Sequence, residues 1–236
     1  MLAVSIDTLR NWDQQGILKS FRPTKTSKRL YKIEDIQKFL NKSQSNGGNN
    51  TVDIAREWVE SKKPVEAAKE YYCQTRDIFN ARVIRISKEA MNNSIPKNLA
   101  DLLTAIMGEV GNNSYDHNIG KWKDVPGTFF AHDLNNKKIV LADRGQGILS
   151  TLKKVRPSLK NDEEAVYTAF TEKLSGRAPE SRGNGLKFVR SAIEHNALSI
   201  EFSSGNAKLY IEKKNKEMII KQNENNIDGC IAIISY

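Results

Sequence analysis

Three short segments, rich in glycine and polar residues, each stand at the end of an apolar-patterned element of this chain. Glu109-Val-Gly-Asn-Asn113-Ser-Tyr-Asp-His117 closes a stretch in which Leu99, Leu103, Ile106 and Val110 recur at helical spacing. Asp143-Arg-Gly145-Gln-Gly147 follows Lys138-Ile-Val-Leu-Ala142, a strand-like run, and Arg182-Gly183-Asn184-Gly185-Leu186 opens a pattern with Phe188, Val189 and Ile193 on one helical face. Further strand signals fall at residues 127–132, 199–203, 208–212, 218–221 and 230–235, with Asn135-Asn136, Gly205-Asn206 and Asp228-Gly229 as turns. A helix is expected over 162–174, capped by Asn161 or Asp162. Helices combined with consecutive antiparallel strands predict an α+β chain built as a two-layer α/β sandwich.

Charge and composition divide the chain. Residues 1–50 hold nine Lys/Arg against four Asp/Glu, while the remaining residues hold 28 against 24, so the positive surplus is concentrated at the N-terminus. Such a field suits a phosphate backbone, although a solvated basic face accounts for the charge as well. Residues 43–50, Ser-Gln-Ser-Asn-Gly-Gly-Asn-Asn, read as a polar linker between a small helical unit at 1–42 and the rest. Residues 51–95 read as a helical connector, broken near Lys63-Pro64, that either pairs protomers or packs between domains. Two distant cysteines, Cys73 and Cys230, make neither a disulfide framework nor a zinc site, and no apolar run reaches the length of a membrane span. These features predict a cytoplasmic protein without membrane contact.

Glu109, Asn113 and His117, four residues apart, follow one face of a helix beside its apolar stripe. An amide oxygen suits Mg²⁺ held together with phosphate oxygens, and a carboxylate one turn away suits activation of a water or hydroxyl. The strand before Asp143 delivers a carboxylate between sheet and helices, where it needs a donor such as an exocyclic amine. Gly145 and Gly147 clear space for close backbone approach. Glycines before a helix start leave backbone N–H groups and the positive dipole end facing an anion. Taken singly, each segment also fits a blander role: an Asn-rich helix end, an ordinary strand-to-loop turn, a solvated basic surface.

In their order and spacing the three segments resemble the nucleotide pocket of the GHKL (Bergerat-fold) ATPases, which include histidine kinases, type II topoisomerases and anti-sigma-factor kinases. The likeness covers roughly residues 96–236 and implies a Bergerat ATP-binding fold using ATP and Mg²⁺. It places the metal on Asn113, the general base on Glu109 and adenine recognition on Asp143. The other ATP-binding positions it implies are His117, Gly145, Gly147, Arg182, Gly183, Asn184, Gly185 and Leu186, with a lid at about 148–182. Arg177, Arg182 and Lys187 either meet phosphate or are solvated. Where many members carry Gly-Thr before the last strand, this chain has Asp228-Gly229-Cys230. The only histidines are His117, His132 and His195, none on a long helix upstream of the pocket, which argues against an ordinary sensor histidine kinase.

The segment Val4-Ser5-Ile-Asp-Thr8-Leu9-Arg10-Asn-Trp12-Asp13-Gln-Gln-Gly16, with Arg29-Leu-Tyr31 and Glu34-Asp35-Ile36, resembles a MerR-type winged helix-turn-helix. Only three residues precede Val4, so the first helix of that family has no counterpart, and the wing has Ser27-Lys28 in place of glycines. The likeness implies DNA contacts from Arg10, Lys28, Arg29 and Tyr31, and a dimer on a two-fold site; the alternative is a small protein-interaction headpiece. Combined, the two resemblances imply a nucleotide-gated DNA-binding regulator with slow Mg²⁺-dependent ATP hydrolysis. The alternatives are an anti-sigma-like Ser/Thr kinase acting on a partner protein, and an ATP sensor without turnover.

Overall fold

A computed structural model of the chain describes residues 51–174, 184–213 and 217–236, and in the N-terminal part residues 9–10, 13–14, 16, 18–24 and 27–36. Two compact units divide it, residues 1–50 and 51–236. In the first, Phe21 and Leu30 form an antiparallel bridge closed through Ser27 and Thr24, and residues 33–36 are helical. Gly16 takes φ +70°, the left-handed conformation that ends a helix, and Asp13 accepts hydrogen bonds from the backbone N–H and hydroxyl of Ser20. Ser5 and Trp12 lie outside the described residues.

The second unit is a mixed α+β body around a five-stranded antiparallel sheet. Its elements are α1 (Thr51–Glu60), β1 (Tyr72–Cys73), α2 (Arg76–Asn92), α3 (Lys97–Asn118), β2 (Thr128–Asp133), β3 (Lys138–Asp143), α4 (Gly147–Leu152), α5 (Asp162–Thr171), α6 (Gly185–His195), β4 (Ser199–Ile211) and β5 (Met218–Ser235). The strand order is β1-β2-β3-β5-β4, with every neighbouring pair antiparallel. Thr75 caps α2 through Ile78 N–H. Asn161, one of the two expected caps, holds the N–H of Glu164 at 2.9 Å at the start of α5, whose first turn is acidic as its dipole favours.

On one face, Leu103, Ile106 and Val110 of α3 pack with Phe79 and Val83 of α2, Phe170 of α5 and Val189 of α6 over Phe130, Leu141, Phe202 and Ile234 of the sheet. The other face is covered by α1, whose Val52, Ala55, Trp58 and Val59 meet Phe129, Ala131, Val140, Ala142 and Ile233. Residues 51–95, expected as a helical connector, thus supply an edge strand and two packed helices to this unit. The expected four C-terminal strands are two long ones. Gly205 (φ +60°) and Gly229 (φ +95°) sit at register shifts between β4 and β5, so the residues read as turns form a bulge that bends the pair without ending it.

Candidate functional site

The helical face and the strand end expected to meet do meet. A cavity between α3, α4, α6 and the sheet encloses about 900 Å³ of empty space, its open mouth included. Its walls are mostly apolar, from residues such as Val110, Leu141, Ile148, Leu186 and Phe202, with Asn113, Ser114, His117, Asn118 and Asp143 as its polar points. An apolar concavity with a few convergent polar groups is the usual form of a small-molecule site.

Asp143 is the last residue of β3 and is only 4% exposed. Its carboxylate accepts the Ser114 hydroxyl at 2.8 Å, the Asn118 amide at 3.2 Å and the Gly145 backbone N–H at 2.9 Å. Burial pushes its pKa above the ordinary value, with these hydrogen bonds pulling the other way. Asn118 also receives the Gln146 N–H at 3.0 Å, so the Asp143–Gln146 turn closes onto the end of α3. Gly145 is required there, because a Cβ would stand 2.0 Å from the Asn118 amide nitrogen. Gly147 takes φ +75° and starts α4, whose Ile148 N–H donates to the buried Ser204 hydroxyl. Cys230 pairs in register with Asp143 and lines the cavity; burial first, and then the Asp143 carboxylate, push its thiol pKa well up.

At the other end stands the start of α6. Asn184 precedes it with no side-chain cap, leaving the first N–H groups of the helix without that partner. Gly185 lacks a side chain where a Cβ would lie 2.5 Å from Glu109 Oε2 and 3.6 Å from Asn113 Nδ2. Glu109, Asn113 and the α6 start are therefore neighbours. Glu109 is exposed beside Gly185 and does not line the cavity, whereas Asn113 and His117 are half-buried in its wall. Leu186 lines the cavity and Lys187 is half-buried. Arg177, Arg182 and Gly183 lie outside the described residues, as does the end of the expected lid. The described part of that span is folded: Leu152, Leu159 and Ala165 share a small core, and Arg156 pairs with Glu172.

Ser114 and Asn118 escaped the sequence reading. They continue the Leu103, Ile106, Val110 stripe at four-residue steps, and polar residues on a buried stripe need partners; here both find Asp143. Among the described residues no group of three or more His, Cys, Asp or Glu could hold a metal ion, so Asn113 fits a cation only alongside oxygens of a bound ligand. In the N-terminal unit Arg10 and Lys28 are exposed. Arg29 pairs with Asp13 at 3.4 Å, and the Tyr31 hydroxyl donates to the Leu9 carbonyl at 3.2 Å, so both also serve the unit's own fold. No helix among the described residues is long and apolar enough to cross a membrane. No protein-family model matches the chain, and no curated protein sequence matches it.

Proposed function

We propose that residues 96–236 form a GHKL-type, Bergerat-fold ATP-binding domain, and that the whole chain is a nucleotide-gated DNA-binding regulator that hydrolyses ATP slowly. The observation that carries this reading is Asp143: a buried carboxylate on three protein donors at the floor of a cavity whose opposite end holds Asn113 and an uncapped helix start. In this reading the sandwich is the two-layer one of that family, with α1 added behind the sheet. An ionised carboxylate only accepts, so the partner Asp143 suits on the cavity side is a donor such as the adenine amine. The apolar walls take the base, and the α6 start takes phosphate charge. Bound Mg²⁺ would neutralise phosphate charge and would be held by the Asn113 side-chain oxygen. Glu109 accepts the proton of the attacking water. His117 flanks the base side, and the MerR-like unit meets DNA through Arg10 and Lys28, with Arg29 and Tyr31 shaping the wing.

The exposure of Glu109 favours a second reading. An exposed base beside the α6 start can also receive the proton of a Ser or Thr hydroxyl on a separate protein, as in anti-sigma-factor kinases. Turnover separates the cases. Slow phosphate release by the wild type that Glu109→Ala abolishes supports hydrolysis. Label transfer from γ-labelled ATP to a protein in extract, without free phosphate, supports the kinase. Binding with neither leaves a sensor, and turnover unchanged by Glu109→Ala contradicts the role given to that residue.

A further inference from the structure

Among the described residues, the one after Asp143 is the largest fully buried side chain, and it does not line the cavity. Side chains alternate along β3: Ile139 and Leu141 belong to the helix-covered face, Val140 and Ala142 to the face under α1. Asp143 continues the first row into the cavity, and Arg144 continues the second, toward α1. Its guanidinium, 2% exposed, donates to the Trp58 carbonyl in the last turn of α1, to the carbonyls of Ser61 (2.9 Å) and Lys63 (3.3 Å) just beyond it, and to both oxygens of Asp124. It lies 5.8 Å from the Trp58 ring centre. Five acceptors around one planar donor fork suit arginine and not lysine. A cation at those carbonyls also answers the negative end of the α1 dipole.

The backbone between the two side chains has little freedom. A Cβ on Gly229 would lie 2.1 Å from the Asp143 carbonyl oxygen, and Lys123 N–H donates to the Arg144 carbonyl at 3.3 Å. Asp143 and Arg144 therefore share one short, constrained stretch of backbone. We propose that Arg144 is a positioning residue that holds the Asp143 carboxylate at the cavity floor through α1, coupling what fills the cavity to the last turn of that helix. Such coupling is reciprocal. α1 is also the first element of residues 51–236, directly after residues 1–50 in sequence. The identity of the occupant, though not the coupling, rests on the nucleotide reading.

Trp58 reports the coupling directly. The full chain is labelled with 5-fluorotryptophan, and the Trp58 ¹⁹F signal is assigned by its loss in Trp58→Phe. Without nucleotide, Asp143→Asn is expected to displace that signal across the sheet, and the displacement is expected to vanish in an Arg144→Lys background. With Mg²⁺ and ATP, the signal is expected to move in the wild type. Arg144→Lys is expected to weaken ATP binding about tenfold, the effect of losing a hydrogen bond to a charged group. Arg56→Ala, which removes the α1 ion pair with Glu201 on the same face, is expected to leave affinity unchanged. Should Arg144→Lys not fold, Asp124→Asn, which keeps Arg144 but removes its carboxylate partner, takes its place in both arms. A Trp58 signal that ignores Asp143→Asn, or moves equally with lysine at 144, overturns the proposal. Absence of ATP binding in the wild type overturns the nucleotide reading instead, and the ligand-free arm still decides the coupling.

Discussion

Asp143 is a carboxylate taken out of water by the strand that carries it, so its proton affinity is linked to folding. Burial holds its folded pKa above the ordinary value, with Ser114, Gly145 and Asn118 opposing. A carboxyl shifted this way favours the folded state while protonated; that contribution is complete below the unfolded pKa, near 3.8, and is lost as pH rises through the folded one. The stability of the wild type relative to Asp143→Asn should therefore grow as pH falls from neutral toward the carboxylate range, measured by parallel urea titrations. A difference that does not change with pH contradicts it. Gly229→Ala should destabilise by about 1–3 kcal/mol from backbone strain alone, since φ is +95° there and the new Cβ meets the Asp143 carbonyl. Urea unfolding with no loss of stability would show that the β5 bulge yields. At this scale Asp143, Gly145 and Gly147 stood out in the sequence because strand end, carboxylate and glycines are contiguous. Ser114, Asn118 and Ser204 did not, because their value depends on which side chains face the same cavity, and spacing along one element does not supply that.

Helix α1 shows the same limit among elements. Its amphipathic pattern announces a buried face without saying what buries it, and a polar linker before it suggested a connector. The cue was in the strands instead. Thr128-Phe-Phe-Ala131 and Ile139-Val-Leu-Ala142 are apolar in both phases, as strands covered on both faces are, and only the front layer had helices assigned to it. Because α1 is that second cover, Trp58→Ala should cost about 3–5 kcal/mol, as for a buried aromatic elsewhere, whereas an exposed connector would lose little. Likewise residues 51–236 should unfold cooperatively as one piece, while 96–236 alone should not. A cooperative, soluble 96–236 fragment would return α1 and α2 to the status of a connector. The merging of four expected strands into β4 and β5 has a related cause. Glycine with positive φ marks a turn or a bulge equally, and only the partner strand distinguishes them.

For the molecule as a whole, the basic N-terminal unit and the cavity-bearing unit make separable demands. DNA affinity of the full chain should fall steeply with salt, and Lys28→Ala should lower the slope by about one charge without changing sequence preference, as a phosphate contact does. A salt-independent interaction would move residues 1–50 toward protein recognition. The division at the 43–50 segment was readable from composition, and the charge asymmetry with it. The grip of Arg144 on α1 was not, since Arg144 looks in sequence like the variable residue of a glycine motif. The central claim is the cavity itself, and calorimetric titration of ATP tests it most directly, with and without Mg²⁺, on the full-length wild type, Asp143→Ala and Asn113→Ala. ATP binding that strengthens with Mg²⁺, disappears in Asp143→Ala and loses its Mg²⁺ dependence in Asn113→Ala is the predicted result. No binding to the wild type, or binding that Asp143→Ala leaves intact, would contradict it.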